Sequence, residues 1–264
     1  GSDYSREAIL HGELRHMLGG ATSIAGSTRG SSAQGLLRNP DNPAATGGLQ
    51  VSVDYSTFPL GDSDGTLKED TCDYDGKPSN GLDSYSVMRN DIYLPHVSEG
   101  IDKAAGNEFE CLSKSGDESR DLIEDNTSII HGIGMTAEDV RELAANGGQL
   151  VWSPRTNVSL YGQTADVPTY MKYQVPIALG TDWPISGSMN MLRELACADR
   201  LSENHYNGAL TDRHLWRMAT YNGAMALGVQ DRLGKIADGY IADIAIFDGS
   251  DDPHYSAVVE ADSA

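Results

Sequence analysis

Ser128-Ile129-Ile130-His131 and Ile177-Ala178-Leu179-Gly180-Thr181-Asp182 bracket the stretch that decides the fold. Each is a short apolar run closing on a polar, metal-capable side chain. Between them the chain alternates. Thr136 stands as an N-cap with Asp139 after it, Val140, Leu143 and Ala144 follow at helical spacing, and Asn146-Gly147-Gly148 ends that helix. Gln149-Leu150-Val151-Trp152-Ser153 reads as the next strand, followed by a loop with Pro154 and a short helix near Val167–Tyr173. Beyond Ser188 a further helix runs through Leu192, Leu195 and Leu201. Strands alternating with helices imply parallel pairing through right-handed crossovers. In a barrel built this way the strand C-termini converge on one rim, and the chemistry sits there.

Upstream, Ile92-Tyr93-Leu94-Pro95-His96 repeats the arrangement, with Glu99 following. An offset of three points to the opposite side of a strand, so Glu99 joins His96 only where the chain leaves the strand and curls over the mouth. Gly100 permits such a bend. Arg6–Leu18 has helical spacing and ends at Gly19-Gly20; Ala21–Ala25 reads as a strand, with fainter strands at Gly35–Asn39 and Ser56–Leu60. The Asp-, Gly-, Ser- and Pro-rich stretch 61–90 reads as a long rim loop. After Thr211 two short helices reach Gly228. Gly234–Ile236 and Tyr240–Phe247 then alternate as strands around the hairpin-type turn Asp238-Gly239. The expected division is a barrel over 1–232 and a small β unit over 233–264.

Composition narrows the function classes. With 39 acidic against 19 basic residues the net charge is −20, so phosphate backbones would repel the chain and nucleic acid is an unsuitable partner. No apolar run approaches the ~20 residues of a membrane helix. Gly1-Ser2-Asp3-Tyr4-Ser5 carries neither the basic nor the apolar part of a secretion signal. Cys72, Cys111 and Cys197 form no metal-type pair. A Cys72–Cys111 disulfide, implying an oxidising compartment, and three free thiols both fit the sequence. Compartment, cytoplasmic or exported, stays open.

Two histidines and two carboxylates at one rim, His96, Glu99, His131 and Asp182, suggest metal-assisted hydrolysis. Neutral imidazole and carboxylate are the usual donors of a catalytic zinc, which leaves one position for water. The segments that carry these residues resemble a known family. Leu94-Pro95-His96-Val97-Ser98-Glu99, Ile129-Ile130-His131-Gly132, Ser153-Pro154-Arg155-Thr156-Asn157 and Leu179-Gly180-Thr181-Asp182 resemble four strand-end motifs of the amidohydrolase superfamily, in its order. Gly19-Gly20-Ala21-Thr22-Ser23, Ala219–Gly228 and Gly234–Asp243 resemble its second strand, late helix and turn into the β-sandwich. The nearest branch holds cyclic-amidine deaminases, chlorohydrolases and imidazolonepropionase-like enzymes.

The resemblance implies an α/β fold, a (β/α)8 TIM-type barrel lacking its first strand here, with a C-terminal β-sandwich fragment. It implies a metal-dependent hydrolase that cleaves a non-peptide carbon–nitrogen bond or deaminates a cyclic amidine. His96 would be a metal ligand, Asp182 a ligand and proton acceptor, and Glu99 a proton shuttle to the leaving group. His131 would polarise the substrate or bind a second metal; 55–62 lacks the bridging lysine of binuclear relatives, which favours one metal with His131 as electrostatic partner. Arg155, Asn157 and Trp183 are the candidate substrate contacts. Zinc is the first choice of cofactor and iron the second; the implied partner is a small-molecule substrate, with homo-oligomerisation open. The family's His-x-His pair is missing: His11 and His16 are poor substitutes on different helix faces. A start after the first strand accounts for this, because the other motifs persist. The competing reading is a catalytically degenerate barrel serving as a binding or assembly subunit.

Overall fold

The computed structural model describes residues 6–26, 35–74, 87, 91–114, 121–250 and 254–261. Helix α1, Arg6–Leu18, leads to β1, Val53–Ser56, and β2, Ile92–Val97. The elements α2 (Lys103–Ser113), β3 (Ser128–His131), α3 (Ala137–Ala145) and β4 (Gln149–Trp152) then alternate. Two helices, α4 (Pro154–Tyr161) and α5 (Val167–Lys172), precede β5 (Ile177–Leu179). Last come α6 (Met191–His205), α7 (Asp212–Ala219), α8 (Tyr221–Ala226) and α9 (Ser256–Val259).

All four strand pairings are parallel, in the spatial order β1-β2-β3-β4-β5. Sequential order with helical crossovers is the arc of a β/α barrel. Strands in such a sheet are covered on both faces, which is why β3 and β5 are buried at every position. The helical layer contributes Phe109, Leu112, Val140, Leu143, Leu192, Leu195 and Leu215 to one core with Ile129, Leu150 and Trp152 from the strands. Thr136 and Asp139 form the anticipated capping box on α3. The strands foreseen at Ala21–Ala25 and Gly35–Asn39 shrink to one parallel bridge, Ser23 with Arg38.

Other local expectations are corrected: the strand foreseen at Ser56–Leu60 lies instead at Val53–Ser56. Pro154 starts α4 rather than marking a loop; proline suits the first helical turn, where no intrahelical partner exists for its missing N–H. Helix α2 went unread in the sequence. Residues 234–249 take no ladder partner among the described residues, although the Asp238-Gly239 turn forms, with Tyr240 N–H donating to Ala237 O (3.1 Å) and Gly239 at φ +83°. A hairpin needs a third strand or a helix over its apolar face; here Ile236 is 86% and Ile246 94% exposed. The segment is tied down instead by the Arg38–Asp243 ion pair and by Ile241 packing near Leu233.

Cys72 and Cys111 are joined, with Cα atoms 5.3 Å apart, while Cys197 is free. The bond staples the loop before β2 to α2. Among the described residues no helix is long and apolar enough to cross a membrane.

Candidate metal centre

The rim gathers side chains from the ends of β2, β3 and β5 and from helix α4. His96, on β2, turns its Nδ1 to the Ser56 carbonyl at the end of β1 (3.4 Å). His131, ending β3, places its ring 4.9 Å from that of His96, centroid to centroid, and is fully buried. Its Nδ1 meets Asn157 Oδ1 at 3.0 Å, and Asn157 Nδ2 donates to Thr164 Oγ1 (3.2 Å). A carbonyl oxygen only accepts, so both histidines carry their proton on Nδ1 and leave Nε2 as a bare lone pair. On His131 that Nε2 is buried and has no hydrogen-bond partner among the described residues. It faces Glu99 Oε2 at 3.4 Å and Asp182 Oδ2 at 3.7 Å.

Donor atoms of His96, Glu99 and His131 all lie within 4.8 Å of one another, so this trio could hold a cation. Asp182 sits at its edge, beside His131, with Oδ1 accepting from the Trp183 N–H (2.6 Å). Two lone-pair imidazole nitrogens and anionic oxygens around an orphaned buried acceptor fit a divalent metal. Burial pushes the His96 imidazole down to about 4, reinforced by His131, and lowers that of His131 as well. Burial raises the Glu99 carboxyl. Both histidines are therefore neutral at physiological pH, the state in which imidazole binds metal.

Backbone geometry brings these groups together. The chain leaves β2 at Ser98, whose φ of +54° carries Glu99 over the mouth; the bend expected at Gly100 falls two residues earlier. Ser98 N–H donates to Glu108 Oε2 of α2 (2.5 Å), and Ser98 O accepts from Ile133 and Gly134 N–H after β3. His131 and Asp182 also have positive φ, +78° and +54°. Non-glycine residues in this region cost of order 1–3 kcal/mol each and cluster at sites whose surroundings hold them there. Gly132 follows at φ +58°, where a Cβ would come within 2.4 Å of the Tyr170 hydroxyl.

The anticipated substrate contacts separate. Asn157 is fully buried against His131. Arg155 turns away: its N–H donates to Glu194 Oε1 (3.0 Å) and its Nε to Ser188 Oγ (2.8 Å). Its side chain lines a groove of about 600 Å³ with Cys197 and Arg200, and none of the clustered residues lines that groove. Trp183 is 67% exposed beside Asp182. The sequence reading missed Tyr161, whose hydroxyl donates to Glu99 Oε1 (3.0 Å), and Tyr55, which packs edge-on against His96 at 5.4 Å. Tyr161 would have been found as the i+4 neighbour of Asn157 had Pro154 been read as a helix start.

A family model described as "Amidohydrolase family" matches residues 95–264. Among curated proteins, a 5-methylthioadenosine/S-adenosylhomocysteine deaminase of Pyrococcus abyssi is 34% identical over 144 residues, 51% of this chain and 33% of the relative. The chain spans about a third of the length of the curated relatives it matches. Among solved structures, an adenosine deaminase from Xanthomonas campestris with bound zinc superposes with a TM-score of 0.56 at 23% identity, covering 68% of this chain and 45% of the other. A triazine hydrolase variant reaches a TM-score of 0.67 at 17% identity over 96% of this chain and 67% of that one. At these identities the two structures speak for the fold.

Proposed function

This chain belongs to the amidohydrolase family, and from that premise we propose that its protein deaminates a cyclic amidine by metal-dependent hydrolysis. The substrate class we assign is the 6-aminopurine ring of an adenosine-type nucleoside, supported by the deaminase relatives that match about half of this chain. The reaction replaces the ring's exocyclic amine by oxygen: water adds to the amidine carbon and ammonia departs.

A single observation carries the reading, the buried, unpartnered His131 Nε2 facing two carboxylates beside a second neutral imidazole. A divalent metal bound there would make a water molecule acidic enough to attack at neutral pH. Zinc suits imidazole and carboxylate donors, with iron second. His96, His131 and Asp182 would hold the metal. Asp182 takes the proton of the attacking water, and Glu99, its carboxyl raised by burial, delivers one to the departing nitrogen. Trp183, exposed at the mouth, would contact the substrate.

The test is ammonia release from adenosine-type nucleosides by the zinc-loaded protein, followed by the adenine-to-hypoxanthine ultraviolet change, with metal content measured in parallel. Turnover in the wild type, with loss of both turnover and bound metal in Asp182→Ala, is the expected pattern. Full activity with unchanged metal content in that variant would remove Asp182 from the mechanism. A protein that binds zinc yet dechlorinates triazines and spares nucleosides would overturn the substrate class.

A further inference from the structure

Helix α4 presents two side chains to the rim, four residues apart and so on one face. Asn157 reaches His131 Nδ1, and Tyr161 reaches Glu99 Oε1. The helix is held from outside by Arg155 N–H on Glu194 and Arg155 Nε on Ser188, and Thr156 Oγ1 meets Ser186 Oγ at 3.2 Å. Its inner face is thus a fixed reference for the catalytic groups.

Tyr161 is absent from the main hydrophobic cluster, whereas Tyr93, Tyr170 and Tyr206 belong to it. The hydrogen bond of its hydroxyl runs to Glu99. That bond divides the carboxylate: Oε1 accepts from Tyr161, while Oε2 lies 3.4 Å from His131 Nε2. Glu99 needs such a restraint because it sits beyond the end of β2, on a backbone turned back at Ser98.

We propose that Tyr161 is a positioning residue for Glu99, its hydroxyl holding Oε1 so that Oε2 alone faces His131 and the reacting atoms. The role of Glu99 rests on the deaminase reading above; the Tyr161–Glu99 contact does not. Misplacing a proton-transfer group by about 1 Å costs up to about 10²-fold in rate.

In the zinc-loaded protein, Tyr161→Phe lowers kcat by about 10- to 100-fold, leaving KM within about 3-fold and the metal content intact. In a Glu99→Gln background the same substitution changes kcat less than about 2-fold, because the group it positions no longer transfers a proton. A loss falling on KM, or an equal loss in both backgrounds, overturns the proposal. An activity-free arm uses the ultraviolet resonance Raman bands of tyrosine in metal-free protein. Glu99→Leu alters a tyrosine hydroxyl-donor signal, and that change disappears when Tyr161→Phe is already present. If the signal is unchanged by Glu99→Leu, the positioning role fails. If no nucleoside is deaminated while the signal responds, the reaction class fails and the contact stands.

Discussion

Replacing Asn157 by leucine tests the logic of the centre, because it keeps the branched shape of the side chain while removing its acceptor and its donor from a buried site. Asn157 is wholly inside the protein and serves two partners, the His131 Nδ1 proton and Thr164 Oγ1. Thr164 keeps its other partner, since the Trp152 indole N–H also donates to it at 2.7 Å. The change therefore falls on His131. Leaving a buried donor without an acceptor costs about 1–3 kcal/mol. His131 escapes this cost by moving its proton to Nε2, toward Glu99 Oε2 at 3.4 Å. The escape has a chemical consequence: a protonated Nε2 cannot bind metal. Losing the outer partner of a metal-ligating histidine typically weakens metal binding by 10- to 100-fold. We expect Asn157→Leu to lose about 1–3 kcal/mol of metal-free stability in urea, the cost of bulkier methyl groups in a closed site, and to hold zinc about 10- to 100-fold more weakly in competition with a chromophoric chelator. Nitrogen-15 spectra of the His131 ring should show the proton shifting from Nδ1 to Nε2. Wild-type zinc affinity together with an unmoved proton would refute the tautomer argument.

Other expectations follow from the same contacts. Glu108 is pushed up to about 8 by burial, so it holds a proton when folded that it releases when unfolded; its stabilisation is present below pH 4.5 and is lost as pH rises through 8. His96, lowered to about 4, acts in the opposite sense, costing stability as pH falls from 6.5 toward 4. The unfolding free energy of the metal-free protein should therefore fall by about 2 kcal/mol between pH 6.5 and 8, and Glu108→Gln should remove most of that fall, the remainder belonging to Glu194, which burial pushes up to about 7; an equal decline in the variant would exclude Glu108 as its main source. Gly132→Ala, with its Cβ driven against the Tyr170 hydroxyl at positive φ, should lose at least about 2 kcal/mol, and a thermal midpoint within about a degree of wild type would contradict this crowding. Reducing the Cys72–Cys111 bond, which closes a loop of sequence separation 39, should lower stability by about 2–4 kcal/mol in denaturant titrations, and no change would mean that the loop is already ordered in the unfolded chain.

The β/α rhythm from residue 128 was legible because parallel strands buried on both faces read as short apolar runs, and Asn146-Gly147-Gly148 punctuates the helix between two of them. The strand ends carrying His96, His131 and Asp182 were legible for the same reason, and the structure brings all three to one place. Other features depend on spatial neighbours. Alternation at 240–247 looks like a strand, but pairing needs a partner that local pattern does not reveal. Pro154 signals either a loop or a helix start, and only the helix explains how Asn157 and Tyr161 share a face. The assignment of Asn157 to substrate rather than to His131 reflects the same limit, since residue type does not tell which way an amide turns.

The left-handed backbone at His131 and Asp182 sets thermal tolerance against chemistry. Glycine at Asp182 would relax the local conformation and remove a carboxylate that faces His131. Glycine at His131 would relax it too, but would also empty a fully buried imidazole site and take away the partner of Asn157 Oδ1, a loss of about 2–5 kcal/mol that outweighs the relief. A laboratory search for heat resistance, conducted without an activity screen, would therefore reach the codon for Asp182 and pass over that for His131.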